Sequence, residues 1–196
     1  PTLLRTLQPP RDTHNVSSAS SDVYKRHVQM ISLTGDVSTG KKVLEAASQS
    51  IKKTHLELGG KAPVIVFDDA DIDLLIEGIR DFGYYNAGQD CTAACRMFVD
   101  KKIYEKVVSE LTSAVKTIGF GNDDDSKNDI PPLITAEHRD RVSNFIEKAK
   151  SSNNIEITTG GHAKEGPGNF YSPTVVAGAN YNDEIVQKEV FGPVVS

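Results

Sequence analysis

The sequence has no concentrated block of basic residues and no long apolar run. It holds 22 Lys and Arg against 27 Asp and Glu, and its net charge is −5. A mildly acidic chain without a basic cluster argues against binding to nucleic acid or to an anionic membrane surface. No apolar run approaches the ~18 residues that a membrane-spanning helix needs, and no signal-peptide pattern opens the chain. We therefore expect neither nucleic acid nor a membrane as a partner.

Cysteine is scarce too, since Cys91 and Cys95 are the only two. Two cysteines without an export signal are too few for a disulfide framework. Neither has cysteine or histidine neighbours at the spacing of a zinc site. We expect free thiols, no metal site and a reducing compartment, which favours the cytoplasm.

The chain does contain enough apolar material for a core, with 38% hydrophobic residues. Residues 1–27 are rich in Pro, Ser, Thr and Arg without periodicity, which predicts a poorly structured lead or a segment foreign to the fold. Beyond them, short apolar runs alternate with helical periodicity, and this order predicts an α/β fold. The predicted strands are 28–33, 54–58, 63–67, 96–99, 155–158, 172–177 and 194–195, and the predicted helices are 37–50, 103–118, 136–150 and one that starts at 72.

Two predicted loops offer a thiol and a carboxylate. Cys91 follows the glycine-bearing segment Tyr-Tyr-Asn-Ala-Gly-Gln-Asp, and Glu57 stands just before Gly59-Gly60. A thiolate can attack a carbonyl carbon, and a carboxylate can later activate the water that releases the product. The pair is the minimum for a covalent thioester cycle. Cys95, one turn further on, is more typical of a small core residue.

Three motifs together resemble the aldehyde dehydrogenase superfamily. In chain order they are Glu-Leu-Gly-Gly-Lys at 57–61, Gly-Gln-Asp-Cys at 88–91 and Lys-Glu-Val-Phe-Gly-Pro at 188–193. The resemblance runs from about Val28 to Ser196, and the string at 84–96 is most similar to the aminobutyraldehyde and betaine-aldehyde dehydrogenase branch. It implies the C-terminal part of a Rossmann-like NAD domain at 28–58. Most of an α/β catalytic domain then follows at 59–196, so that the sequence is partial.

The resemblance also implies roles for individual residues. Cys91 becomes the nucleophile and Glu57 the general base in the oxidation of an aldehyde, with an omega-amino aldehyde or betaine aldehyde as the expected substrate. NAD is the expected cofactor, with NADP as the open alternative, and complete members of the family are homo-oligomers. The residues that the resemblance places at the cofactor are Thr34, Gly35, Leu58, Glu189 and Phe191.

One position departs from the family pattern. Residues 35–40 read Gly-Asp-Val-Ser-Thr-Gly, whereas the family has serine at the position of Asp36. A carboxylate there either repels the cofactor pyrophosphate or caps the following helix and points away from it.

Two rival functions stay open on the sequence alone. The resemblance implies further cofactor contacts and an oxyanion-hole asparagine that match nothing in this chain, so an inactive fragment or pseudoenzyme is the second hypothesis. A thiol-dependent hydrolase that uses Cys91 and Glu57 without NAD is a third class. Esterase activity that persists without nucleotide would distinguish it from a dehydrogenase.

Overall fold

The computed structural model describes residues 27–196, and the expectation for a poorly structured lead therefore falls almost entirely outside them. The chain divides into two compact units, Pro1–Gly59 and Gly60–Ser196. The described part of the first unit is a strand, a helix and a second strand. The assignment of a cofactor domain and a catalytic domain to these segments stays a prediction.

In the first unit, strand β1 (Met30–Gly35) runs parallel to β2 (Lys53–Leu58), and helix α1 (Val37–Ser48) connects them. Parallel neighbours need such a crossover, and the helix buries one apolar stripe against the strands. A Cβ on Gly40 would lie 2.8 Å from the Leu58 side chain, so glycine lets α1 approach β2 closely. Among the described residues of this unit, Ile31, Val43 and Ala47 form the buried core.

The second unit holds five strands in two sheets. Strand β3 (Pro63–Val66) is parallel to β4 (Arg96–Val99), while β6 (Thr174–Ala177) lies between antiparallel β5 (Glu156–Thr159) and parallel β7 (Val194–Val195). Ser196 links the two sheets, because its N–H donates to Cys95 O at 3.0 Å and its carbonyl accepts from Met97 N at 2.7 Å.

Four helices pack around these strands: α2 (Ile72–Gly83), α3 (Tyr104–Val115), α4 (Ala136–Lys150) and α5 (Glu184–Gln187). Asp71 caps α2 by accepting from Leu74 N at 3.1 Å, and Thr135 caps α4 by accepting from His138 N at 3.1 Å. One apolar cluster joins helices and sheet. Its fully or almost fully buried members include Ile79, Tyr84, Leu111, Val115, Val142, Ile146, Val175 and Val194.

The α/β fold predicted from sequence is confirmed, and about half of the element ends differ from the prediction, by one to three residues. The predicted helix 37–50 ends at Ser48, because the chain turns at Gln49 to reach β2. Strand 172–177 begins only at Thr174, since Ser172 bonds back to His162 instead of pairing with a strand. Helix α5 and the 3-10 turns Tyr85–Gly88 and Asp125–Lys127 escaped the sequence analysis, because elements this short show no periodicity.

Candidate active site

The loop that carries Cys91 leaves α2 through an unusual turn. Asn86, Ala87 and Gly88 all have left-handed backbone angles, with φ of 49°, 55° and 69°. A non-glycine residue in this region is uncommon and persists only where its surroundings hold it. Tyr84 supplies one such restraint, because its buried hydroxyl donates to Thr174 O at 2.9 Å. Burial also raises the pKa of Tyr84 well above its ordinary value.

Gln89 fixes the same loop from the other side. Its side-chain oxygen accepts from Ile134 N at 2.9 Å, and its amide donates to Asn86 O at 3.1 Å. The Asn86 amide in turn donates to Gln89 O at 3.0 Å. The two amide side chains therefore tie the segment before Cys91 both to itself and to the segment before α4.

Cys91 lies at the tip of a tight turn and is exposed, whereas Cys95 is half-buried, and both thiols are free. Asp90 shapes the turn, because its carboxylate accepts from Thr92 N at 2.8 Å and from the Thr92 hydroxyl at 2.9 Å. Ala93 N donates to Asp90 O at 3.2 Å. An exposed sulfur on an ordered turn is accessible to a small electrophile such as an aldehyde.

Glu189 and Phe191 lie on a second loop, which follows α5. The Glu189 carboxylate accepts from Gly60 N at 3.2 Å, so the loop is tied to the segment that opens the second unit. Phe191 has φ of 56° and lies edge-on to His138, with ring centroids 5.9 Å apart. A Cβ on Gly88 would meet Gly192 O, so the Cys91 loop and this second loop touch through their backbones.

A small cavity of about 10 Å³ lies beside this contact, and its lining includes Lys61, Asp90, Cys95 and Glu189. Lys61 is only 9% exposed, and its amine has no hydrogen-bond partner among residues 27–196. Burial lowers the pKa of Lys61, and nearby Cys95 and Glu189 oppose that shift to a smaller extent. The sequence motifs predicted a cofactor role for Glu189 and a core position for Cys95, but they did not predict this cavity.

The remaining candidates lie in the first unit, on the carboxyl half of the two strands. Thr34 pairs in register with Glu57, and Gly35 with Leu58. Glu57 is exposed, and one of its oxygens lies 3.1 Å from His55 Nε2. Leu58 turns its side chain under Gly40, so the packing of this unit occupies that side chain.

The turn between β1 and α1 has room for a phosphate next to its backbone. A Cβ on Gly35 would meet no atom nearer than the Leu33 side chain at 3.9 Å, and a helix N-terminus follows at once. Asp36 caps that helix, since its carboxylate accepts from Ser38 N at 2.7 Å. A glycine turn before a helix N-terminus can accept a nucleotide phosphate, and the capping carboxylate of Asp36 adds an unfavourable charge there.

The structure thus gathers the candidates into two groups. Cys91, Glu189 and Phe191 lie on touching loops of the second unit, while Thr34, Gly35, Glu57 and Leu58 lie on adjacent strands of the first. Their roles stay predictions. Within residues 27–196, no helix is long and apolar enough to cross a membrane, and no group of three His, Cys, Asp or Glu could hold a metal ion.

Sequence reasoning missed several residues that hold these loops, namely Tyr84, Gln89, His138 and Arg141. Each acts on a segment far away in the chain, such as His138 on Phe191. A local motif carries no signal for a contact between a helix and a loop about 50 residues further on.

Comparisons with known proteins agree with this geometry. The sequence profile of the aldehyde dehydrogenase family matches residues 15–196, including part of the segment that the sequence analysis treated as a lead. Betaine aldehyde dehydrogenase of Bacillus subtilis (strain 168) is 40% identical over 175 residues, which cover 87% of this chain and 36% of that protein. Lactaldehyde dehydrogenase of Escherichia coli (strain K12) is 41% identical over 170 residues, 86% of this chain and 35% of that protein.

Solved structures of aldehyde dehydrogenases are also similar to this chain. Betaine aldehyde dehydrogenase from Staphylococcus aureus, crystallised in complex with NAD+, superposes with a TM-score of 0.85 at 36% identity over 91% of this chain. The chain covers 36% of that structure, and it spans about a third of the length of the curated relatives above. With its motifs, fold and loop geometry in agreement, this chain belongs to the aldehyde dehydrogenase family.

Proposed function

We propose that the protein containing this chain oxidises an aldehyde to a carboxylate with NAD as the hydride acceptor. The observation that carries the proposal is the exposed Cys91 thiol on a turn that hydrogen bonds and a glycine contact hold in place. Family membership and relatives named as aldehyde dehydrogenases support it.

The reaction begins at Cys91. Its thiolate attacks the aldehyde carbon, and the carbonyl oxygen becomes an alkoxide that backbone N–H donors stabilise. NAD+, when bound, would supply the hydride acceptor. The carbon on Cys91 loses hydride to it and is left on the sulfur as the acyl group of a thioester. Glu57 then removes a proton from a water molecule as the water attacks the thioester carbon. The carboxylate leaves, and the sulfur is free for a further cycle.

The residues of the family motifs would hold the nucleotide. Gly35, Thr34 and the N-terminus of α1 would face the phosphates, with the Leu58 backbone near the nicotinamide. Glu189 offers a carboxylate whose two oxygens can accept hydrogen bonds from two ribose hydroxyl groups. The hydrogen bond from Gly60 N restrains its orientation. The ring of Phe191 offers an apolar wall for the nicotinamide, and NADP is the alternative nucleotide.

A betaine or omega-amino aldehyde is the substrate that we propose first, from the string at 84–96 and the relatives named betaine aldehyde dehydrogenase. Relatives of similar identity, 41% and 37%, are named for lactaldehyde and succinate semialdehyde. A substrate panel for the intact protein should therefore contain all of these aldehydes. A kcat/KM at least tenfold higher for the cationic aldehydes than for succinate semialdehyde would support the proposed choice.

The two cysteines provide a matched test of the mechanism. In the intact protein, Cys91→Ser should abolish aldehyde oxidation while the fold and NAD binding persist. Cys95→Ser should retain turnover, because Cys95 is half-buried beneath the loop. Glu57→Gln should accumulate an acyl-enzyme that intact-mass spectrometry detects after mixing with aldehyde and NAD. Normal turnover in the Cys91 variant would refute the mechanism.

The same variants address the rival functions. A thiol-dependent hydrolase would cleave an activated ester equally well with and without NAD and would form no NADH from an aldehyde. An inactive relative would do neither, although its Cys91 would still react with an alkylating reagent. The ordered contacts around Cys91 favour an active enzyme over an inactive relative, and the names of the relatives favour a dehydrogenase over a hydrolase.

A further inference from the structure

Two side chains of α4 hold three successive carbonyl groups of the loop that carries Glu189 and Phe191. Arg141 Nη2 donates to Glu189 O at 2.7 Å, and its Nη1 donates to Val190 O at 2.5 Å. His138 Nε2 lies 2.5 Å from Phe191 O. A carbonyl oxygen only accepts, so Nε2 carries the hydrogen in this contact.

The helix geometry explains why these two side chains act together. His138 and Arg141 are three residues apart and therefore project from the same face of α4. The guanidinium is planar and always charged, and its two Nη donors span adjacent peptide carbonyls as a fork. The Arg141 guanidinium also lies over the Phe145 ring, 5.0 Å from its centroid, which restrains the fork.

Other contacts fix where the loop lies but leave its peptide orientation free. Val190 is 2% exposed and anchors the loop in the core, and Gly192 packs against Gly88 and Val142. Neither contact prevents the peptide groups between these anchors from rotating. A change of Phe191 φ from the observed 56° would redirect its Cα–Cβ bond, and with it the ring, relative to the preceding peptide. Hydrogen bonds to the carbonyls on both sides of Val190 oppose that change.

We propose that His138 and Arg141 are positioning residues: by holding the carbonyls of residues 189–191 they orient the Glu189 carboxylate and the Phe191 ring towards the nicotinamide half of the cofactor. This inference rests on the cofactor role proposed above for Glu189 and Phe191. The two residues act through the loop, so their loss affects how the cofactor is bound and aligned. The chemistry of the Cys91 sulfur should be unaffected.

Arg141→Met in the intact protein is the principal test, and Arg139→Met is its matched control. Arg139 lies on the same helix, and its guanidinium donates to the neighbouring Asp140 carboxylate at 3.1 and 3.2 Å. We expect Arg141→Met to raise the KM for NAD about tenfold, as the loss of a charge-assisted hydrogen bond predicts. The kcat at saturating NAD should change less, and the rate at which iodoacetamide alkylates Cys91 should stay the same. The Arg139 variant should match the wild type in every measurement.

Two further variants separate positioning from general stability. Arg141→Lys keeps the charge but presents a point donor instead of a fork, so its KM for NAD should lie between those of the wild type and Arg141→Met. His138→Leu removes the hydrogen bond to Phe191 O together with the edge-on ring contact to Phe191, and it serves as the test if the Arg141 variants fold poorly. Hydrogen exchange at the amides of residues 190–192, measured without nucleotide, should accelerate in both the Arg141→Met and His138→Leu variants.

The outcomes separate this inference from the proposed function. An active enzyme whose KM for NAD and local exchange are unchanged by Arg141→Met and His138→Leu would overturn the positioning role. An equal rise of KM in Arg139→Met would also overturn it, because charge alone would then explain the effect. A wild-type protein that neither binds NAD nor oxidises an aldehyde would refute the proposed function. Exchange at residues 190–192 would then still decide whether the two side chains order the loop.

Discussion

Gly88 and Gly192 meet backbone to backbone: a Cβ on Gly88 would lie 1.9 Å from the carbonyl oxygen of Gly192. This contact joins the loop that carries Cys91 to the loop that carries Glu189 and Phe191. Gly88 also has φ of 69°, which L side chains rarely adopt. The two loops can touch here only because Gly88 has no side chain.

Gly88→Ala should therefore destabilise the protein by more than about 2 kcal/mol, because the new methyl group must displace backbone and not a flexible side chain. Gly78→Ala is the matched control, since a Cβ there would meet nothing within 4 Å in the middle of α2. That substitution should increase the free energy of unfolding by at most about 1 kcal/mol, because alanine has a higher helix propensity than glycine. Urea denaturation midpoints measure both changes, and equal stability of the two variants would contradict the close contact.

Lys61→Met should make the protein more stable by about 1 kcal/mol near neutral pH, since it removes a buried amine without a hydrogen-bond partner among residues 27–196. The advantage should shrink with rising pH. The pKa of Lys61 is lowered in the folded protein from 10.5, so between the lowered pKa and 10.5 the unfolded chain binds more protons. Wild-type stability then rises with pH in this window, and the methionine variant lacks that rise.

The control for this experiment is Lys101→Met, at an exposed position in the turn before α3. Its free energy of unfolding should differ from that of the wild type by no more than about 0.5 kcal/mol. Chemical denaturation from pH 7 to pH 10 provides the comparison. A stability difference between Lys61→Met and the wild type that stays constant over this range would argue against a lowered pKa at Lys61.

Tyr84→Phe should cost about 1 kcal/mol, because it leaves the buried Thr174 carbonyl without the hydroxyl donor. Tyr85→Phe, at the next residue, is the control, since that side chain is exposed. Burial raises the pKa of Tyr84, so the unfolded chain releases the phenolic proton first as pH rises above about 10. Wild-type stability therefore falls there, and Tyr84→Phe should lose less of its stability than the wild type over the same alkaline range.

Asp36→Ser should leave the stability of α1 nearly unchanged, because serine is also a good N-cap, whereas Asp36→Ala should lose about 1 kcal/mol. The serine variant also removes a negative charge from the turn where the pyrophosphate is expected. Weaker repulsion of about 1 kcal/mol corresponds to roughly fivefold tighter NAD binding. Calorimetric titration of the intact protein with NAD checks this, and unchanged affinity would mean that the capped carboxylate stays clear of the cofactor.

Local sequence signals were sufficient for most of the secondary structure. Asp71 and Thr135 precede apolar helical stripes, and the structure shows both as capping residues. Helix 136–150 and strand 96–99 were predicted to the residue, since amphipathic periods and polar boundaries are local properties. The short turn at 85–88 could not be predicted in this way, because its left-handed angles depend on contacts from Thr174 and Gly192.

The sequence by itself determined the family and its candidate nucleophile, base and cofactor residues, because these lie in contiguous motifs whose chemistry depends on residue type. Only the tertiary structure decided how the Cys91 and Glu189 loops are held. Arg141 and His138 reach carbonyls about 50 residues away, and Lys61 loses its solvent to neighbours far along the chain. Such contacts depend on how helices and strands pack against each other. Packing energy arises from residues that are distant in the chain, so no single segment of the sequence encodes it.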